Sequence, residues 1–212
     1  MDRIEVKLLV PVLRHVAPIA TAMLLAIAMA CTSEASETTA VIPYIRPSGP
    51  LVPGPVGLWQ PPPGSTPAMG NYVYIEMDSS FSTGVTYPQT MVPVPGSFTV
   101  TWQTGKLAVT ATDPRVKLTM NGVFQTMLGL TELKEGYYGD LRGLADADPL
   151  AGALAVSLNA RECNVVDGWF MVDHVFYFTG GLTAVDLRFE GHCSTFGTPM
   201  HGQIHWREGG FL

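Results

Sequence analysis

Three cysteines, Cys31, Cys163 and Cys193, are the residues of this 212-residue chain whose types and spacing speak most directly of chemistry. Cys31 closes an apolar leader, where a thiol can be consumed by acylation. Cys163 and Cys193 then remain as a natural pair. An odd total is consistent with an oxidising compartment when one thiol is acylated and the other two form a disulfide.

The other candidate groups are weaker. His192, His201 and His205 cluster near the C-terminus. On a strand, however, positions 201 and 205 share a face about 13 Å apart, too far to chelate one ion. No metal site and no cofactor are expected. His192 beside Cys193, with Glu190 nearby, has the residue types of a Cys–His nucleophile pair, which requires a free thiol. Asp146 and Asp148 stand where a calcium loop would begin, but its later ligands and central glycine are missing. Glu76 and Asp78, two apart on a strand, have the spacing for acid–base work on a glycoside; two isolated acids also describe the wet side of a strand. Gly-x-Ser-x-Gly, His-Glu-x-x-His, Cys-x-x-Cys and phosphate-binding glycine loops are all absent from the chain. No catalytic residue is assigned. The candidate binding residues are Tyr72 and Tyr74, on one face of a strand, with Tyr137 and Tyr138. Exposed tyrosines of this kind stack on sugars or on another protein.

The leader accounts for Cys31. Arg3, Lys7 and Arg14 precede an apolar run from Val16 to Ala30, a basic start and a short apolar core that describe an export signal. About 15 apolar residues fall short of the roughly 20 that span a bilayer. Ala28-Met29-Ala30 satisfies a small-x-small cleavage site, and with Cys31 it resembles the lipobox of bacterial lipoproteins. The reading is residues 1–30 as signal peptide and Cys31 as the lipidated anchor; plain cleavage and secretion is the alternative. Thr32, not an aspartate, follows the cysteine, which directs a Gram-negative lipoprotein to the outer membrane.

Without residues 1–30 the chain holds 9 basic and 16 acidic side chains. That balance excludes nucleic acid and anionic lipid as partners, since both reward clustered Lys and Arg. Nine of the seventeen prolines fall between Pro43 and Pro67. Proline removes backbone donors and fixes φ, so residues 31–70 read as an anchor cysteine followed by a semi-rigid tether. Trp59 is out of character for a bare linker and is a candidate to dock.

Residues 71–212 read as one domain with a period of two. Phe98-Thr99-Val100-Thr101-Trp102-Gln103, Val116–Asn121 and Val185–Glu190 alternate apolar with polar residues, as strands with one dry face do. Further strands are expected at 72–77, 106–112, 124–130, 136–141, 153–159, 169–178 and 200–206. Turn signals separate them at Thr104-Gly105, Asp113-Pro114, Asn121-Gly122, Asp148-Pro149 and Gly180-Gly181. About ten short strands imply an all-β, antiparallel sandwich or partly open barrel with one disulfide. Trp169–Phe178 is apolar on both faces and is expected to be a central strand. With Gly180-Gly181 as the turn, Cys193 faces Gly168, so residues 163–168 curl back or the bond ties the hairpin's open end to a neighbouring element.

Arg161-Glu162-Cys163-Asn164, Gly168-Trp169-Phe170-Met171-Val172, Phe189-Glu190-Gly191-His192-Cys193 and the closing Gly202-Gln203-Ile204-His205-Trp206 resemble a β module that recurs in exported bacterial proteins. The resemblance extends over most of residues 95–206, including Asn121-Gly122 and Gly136–Gly139. It departs from the pattern at Glu162, where a glycine is usual, and in the loop after Cys193. It implies a disulfide-stapled, exported β domain and no particular activity. The expectation is a non-enzymatic envelope lipoprotein, held to the membrane through Cys31, that serves as a structural or interaction module toward another envelope protein. The alternative is a carbohydrate-binding module or glycan-active enzyme at the cell surface.

Overall fold

The computed structural model describes residues 53–77, 85–194 and 198–210; Cys31, the leader and Asp78 lie outside the described residues. Two antiparallel sheets pack face to face. The larger has the order β2 (Gln89–Met91), β1 (Tyr72–Glu76), β11 (Pro199–Arg207), β10 (Gly181–Cys193), β9 (Val165–Phe178), β6 (Gly136–Leu141). The smaller runs β3 (Phe98–Gln103), β4 (Lys106–Asp113), β5 (Leu118–Gln125), β7 (Ala153–Leu158), β8 (Arg161–Cys163). This is the expected all-β sandwich, open at four edge strands and not a closed barrel.

Alternation builds the core. Phe98 and Val100 of β3, Leu107 and Val109 of β4, and Val185, Leu187 and Phe189 of β10 point inward, while their polar neighbours lie on the outer faces of the sheets. Phe124 spans the two layers, meeting Phe170 edge-on at 5.6 Å and Phe189 at 5.3 Å. Burying such a ring contributes about 2–3 kcal/mol. Gly202 is part of the same packing: a Cβ there would lie 2.4 Å from the Phe189 ring.

Several expectations are corrected. Asn121-Gly122 is not a turn but the middle of β5. Gly122 faces inward, where a Cβ would stand 2.8 Å from the Phe124 ring, so the glycine makes room for an aromatic. The strand expected at 124–130 ends at Gln125. The hairpin between β9 and β10 turns at Thr179-Gly180, not Gly180-Gly181, with Phe178 opposite Gly181. Thr179 at φ 49° and Gly180 at φ 82° form the turn whose twist suits a two-residue hairpin.

Three irregularities then shift the β9–β10 register, with Thr183, Asp173 and Val166 as the extra residues. The extra residue at Asp173 reverses the parity of β9. Phe170 and Val172 point inward, as do Val175 and Tyr177 beyond it, while His174, Phe176 and Phe178 are exposed. β9 is an interior strand, hydrogen-bonded to β10 on one side and to β6 on the other, although β10 and β11 stand at the middle of the sheet.

Cys193 faces Val165, and Cys163 pairs opposite Val156 in the other sheet. The disulfide, with Cα atoms 5.0 Å apart, joins edge strand β8 of one sheet to β10 of the other. Of the two arrangements the register allowed, it is the tie from the hairpin's open end to a neighbouring element. The chain changes sheets at Asn164, whose carbonyl accepts from the Ser194 N–H at 2.9 Å.

A second inter-sheet link is polar. Asp113, at the end of β4 and 1% exposed, accepts hydrogen bonds from the Val92 N–H at 3.0 Å and from the Arg115 guanidinium at 2.7 and 2.9 Å. The guanidinium also donates to the Val92 carbonyl. Arg115 leads the forces on this carboxyl, and although burial opposes it, Asp113 is held below the ordinary carboxylate range.

Candidate functional site

The outer face of the six-stranded sheet collects the polar chemistry of the domain. Period two puts Asp186, Arg188, Glu190 and His192 of β10 on that face, with His201, Gln203, His205 and Arg207 of β11. The register sets Glu190 opposite His201 and Asp186 opposite His205. The Glu190 carboxylate bridges two imidazoles, His192 Nε2 at 2.9 Å and His201 Nε2 at 2.8 Å. Asp186 meets His205 Nδ1 at 2.5 Å and the Arg207 guanidinium at 2.8 Å. Arg188 grips Asp173 of β9 through two bonds of 2.7 Å, the bidentate geometry that strengthens such pairs.

Residues 53–70 cross this face instead of standing clear of it. A Cβ on Gly54 would lie 3.7 Å from the Met171 sulfur, so the segment begins over β9. The Trp59 carbonyl accepts from Arg188 at 2.8 Å. The Trp59 ring stacks on His201 at 5.0 Å and on Tyr74 at 6.0 Å. Farther on, the Ser65 carbonyl accepts from the Thr90 hydroxyl of β2 at 2.8 Å. The proline-rich stretch thus forms a strap from one side of the sheet to the other, with Trp59 as its rivet.

The four tyrosines do not form one open surface. Tyr72 and Tyr74 share a face, as their spacing requires, but are only 6% and 2% exposed. Tyr72 stacks on His205 at 5.2 Å and donates to Gln203 at 3.2 Å. Tyr74 donates to Glu76 at 3.0 Å. Burial, with the Glu76 carboxylate beside it, pushes the Tyr74 hydroxyl up to about 12, and burial raises Tyr72 as well. Tyr137 reaches the same outer face near β6, tilted against Trp169 at 6.2 Å. Tyr138 points the other way, stacks on Phe170 at 4.5 Å and donates to the Lys134 carbonyl.

A cavity of about 430 Å³ lies between strap and sheet. Gln60, Pro61 and Thr66 form its strap side; Asp173, Asp186, Arg188, Gln203 and His205 form much of its floor. Its two carboxylates are engaged by cations. Burial alone would raise Asp186, but the hydrogen bonds from His205 and Arg207 outweigh it, and the carboxyl sits below its ordinary range. An acid–base pair for glycoside cleavage needs one carboxyl held protonated, and Asp186 is shifted the opposite way. What the cavity offers is a set of fixed donors and acceptors.

His192 and Cys193 face opposite sides of β10, and the sulfur is oxidised, so the sequence's Cys–His pair does not form. His201 and His205 each serve a different carboxylate. Among the described residues no three His, Cys, Asp or Glu side chains converge to hold a metal ion. Glu76 is bonded to Tyr74. Asp148 caps its own turn by accepting from the Leu150 N–H at 2.8 Å.

Sequence reasoning passed over Asp173, Asp186, Arg188, Gln203 and Arg207. The signal was the alternating Asp186-x-Arg188-x-Glu190-x-His192, read only as a wet face. Its pairing with the histidines of β11 needed the strand register. No family model, curated protein or solved structure matches this chain.

Proposed function

We propose that this chain is an exported protein of the bacterial envelope, freed of residues 1–30 and anchored through a lipidated Cys31, whose sandwich works as a non-enzymatic interaction module. The outer face of the six-stranded sheet is its working surface. The observation that carries the reading is that both carboxylates of the strap–sheet cavity are held by guanidinium groups, Asp173 by Arg188 and Asp186 by Arg207, which ties up the pair that acid–base cleavage would use. The buried inter-sheet disulfide supports export, since such bonds persist in oxidising compartments.

Two measurements test this. Intact mass of the protein from membrane fractions is expected to begin at an acylated Cys31, with no titratable thiol; an N-terminus at Met1 or two free sulfhydryls refutes it. Incubation with cell-wall and capsular glycans is expected to release no product; turnover that is lost in D186N would overturn the non-enzymatic reading.

A carbohydrate-binding role is the second reading, favoured by the cavity itself. Gln60, Gln203 and Arg188 present planar polar groups of the kind that hold sugar hydroxyls. A glycan array separates the two readings: retention of one oligosaccharide class, abolished in Q203A, selects the second.

A further inference from the structure

Four strands end the two sheets, and three carry the devices that keep edges from pairing. β2 is three residues long and lies between Pro88 and Pro93. β6 has an irregular register after Tyr138, with the exposed Asp140 at φ 56°. β8 is three residues long and exposes Arg161 and Glu162. β3 differs from all of these. Its six residues, Phe98-Thr99-Val100-Thr101-Trp102-Gln103, include no charge, no proline and no bulge.

The backbone of β3 is half used. Thr104-Gly105 closes a two-residue turn, so Gln103 and Lys106 form a hydrogen-bonded pair and the alternation continues through Thr101 and Thr99. The bond from the Thr112 N–H to the Ser97 carbonyl, 2.9 Å long, continues this phase. The N–H and C=O groups of Phe98, Val100 and Trp102 therefore point away from β4. Among the described residues no strand pairs with that edge. The Trp102 indole donates to the Thr131 carbonyl at 2.9 Å, which engages the side chain and not the backbone.

We propose that a second copy of this chain occupies the edge, its β3 running antiparallel to the first about a two-fold axis at Val100. The register follows from the strand itself. With Val100 opposite Val100, Phe98 faces Trp102 and Thr99 faces Thr101. All three outward-pointing residues then enter hydrogen-bonded pairs, aromatic meets aromatic on the inner face, and threonine meets threonine on the solvent face. In a self-pairing interface the same patch meets its copy, so a strand that carries charge of one sign would oppose that charge to itself across the axis. β3 carries none, which makes it complementary to itself. The stretch before residue 53 is a poor occupant, because Pro43, Pro47 and Pro50 lack the donors a ladder needs. The two five-stranded sheets become one continuous sheet.

Edge pairing covers less than the roughly 1,000 Å² of a stable interface, so the dimer is weak, with Kd on the order of 10–100 μM. The test is sedimentation velocity of the whole processed chain in non-ionic detergent, read with amide exchange across a concentration series. Protection at Phe98, Val100 and Trp102 is expected to rise with concentration, while Thr99, Thr101 and Gln103, already bonded to β4, stay constant. T99K/T101K puts lysine opposite lysine twice and is expected to weaken the dimer roughly tenfold. T99K/T101E puts each lysine opposite a glutamate and is expected to restore it; both substitutions lie on the exposed face and leave the core untouched. A monomer up to about 1 mM, or a dimer indifferent to T99K/T101K, overturns the proposal. A dimer that forms without protecting Phe98, Val100 and Trp102 uses another face and overturns it equally.

Discussion

Reduction of the Cys163–Cys193 bond tests how the two sheets are held together. The cysteines are 30 residues apart in sequence. Loop-closure entropy for a link of that length corresponds to about 3.5 kcal/mol. Both sulfurs are buried, 4% exposed in each residue, and strand pairing positions each cysteine independently of the bond. Reduction should therefore leave native packing intact and act on the unfolded chain. For a domain of this size the loss corresponds to a fall in Tm of about 7–14 °C. The assay is guanidinium unfolding with reductant present throughout, compared with the oxidised protein. The midpoint is expected to fall and the m-value to rise, because the reduced denatured chain is more expanded. The C163A/C193A variant should lose about 1–2 kcal/mol more, through the cavities left by two buried side chains. A loss below about 1 kcal/mol, or a midpoint shift with no change in m, refutes the reasoning and places the bond's effect in the native state.

Other perturbations follow from single contacts. D113N removes the charge that holds Arg115 and the Val92 amide, and should cost about 2–3 kcal/mol at pH 7 by chemical denaturation; a cost under 0.5 kcal/mol, roughly that of a surface change, excludes a role in joining the sheets. Asp113 and Asp186 are both depressed in the folded state. The stability they contribute is present above the unfolded carboxyl pKa of about 3.9 and is lost as pH falls through their folded values. D113N should flatten that acid decline, and an unchanged pH profile contradicts the assignment. W59A should free the strap, expose residues 53–70 to limited proteolysis and bring the Tyr74 titration down from about 12 toward 10; an unaltered tyrosine absorbance titration shows that Trp59 does not hold the strap down. G202A drives a methyl into the Phe189 ring and should destabilise by about 1–3 kcal/mol, read as a lower Cm; no change means that the ring has room to move.

The amino-acid order by itself determined the class of fold, because a period-two pattern with turn residues at short intervals can bury only one face of each strand. The pairing of Cys163 with Cys193 was also expected from the sequence, on the reading that Cys31 is set aside as an anchor, and the structure shows that bond. Other features depended on tertiary contacts that local pattern does not carry. Asn121-Gly122 has the chemistry of a turn, yet the glycine serves the Phe124 ring lying against it from two residues on. The parity of β9 reverses at Asp173, an extra residue in the β9–β10 register that the alternating pattern does not announce. The prolines around Trp59 read as a spacer, while Trp59 itself stood out as a residue that docks, as it does on His201 and Tyr74; only the aromatic and charged surface opposite them makes the whole stretch a strap. The face they cover was invisible for the same reason. Glu190 with His201 and Asp186 with His205 sit on separate strands, and they become partners only once β10 and β11 take up their register.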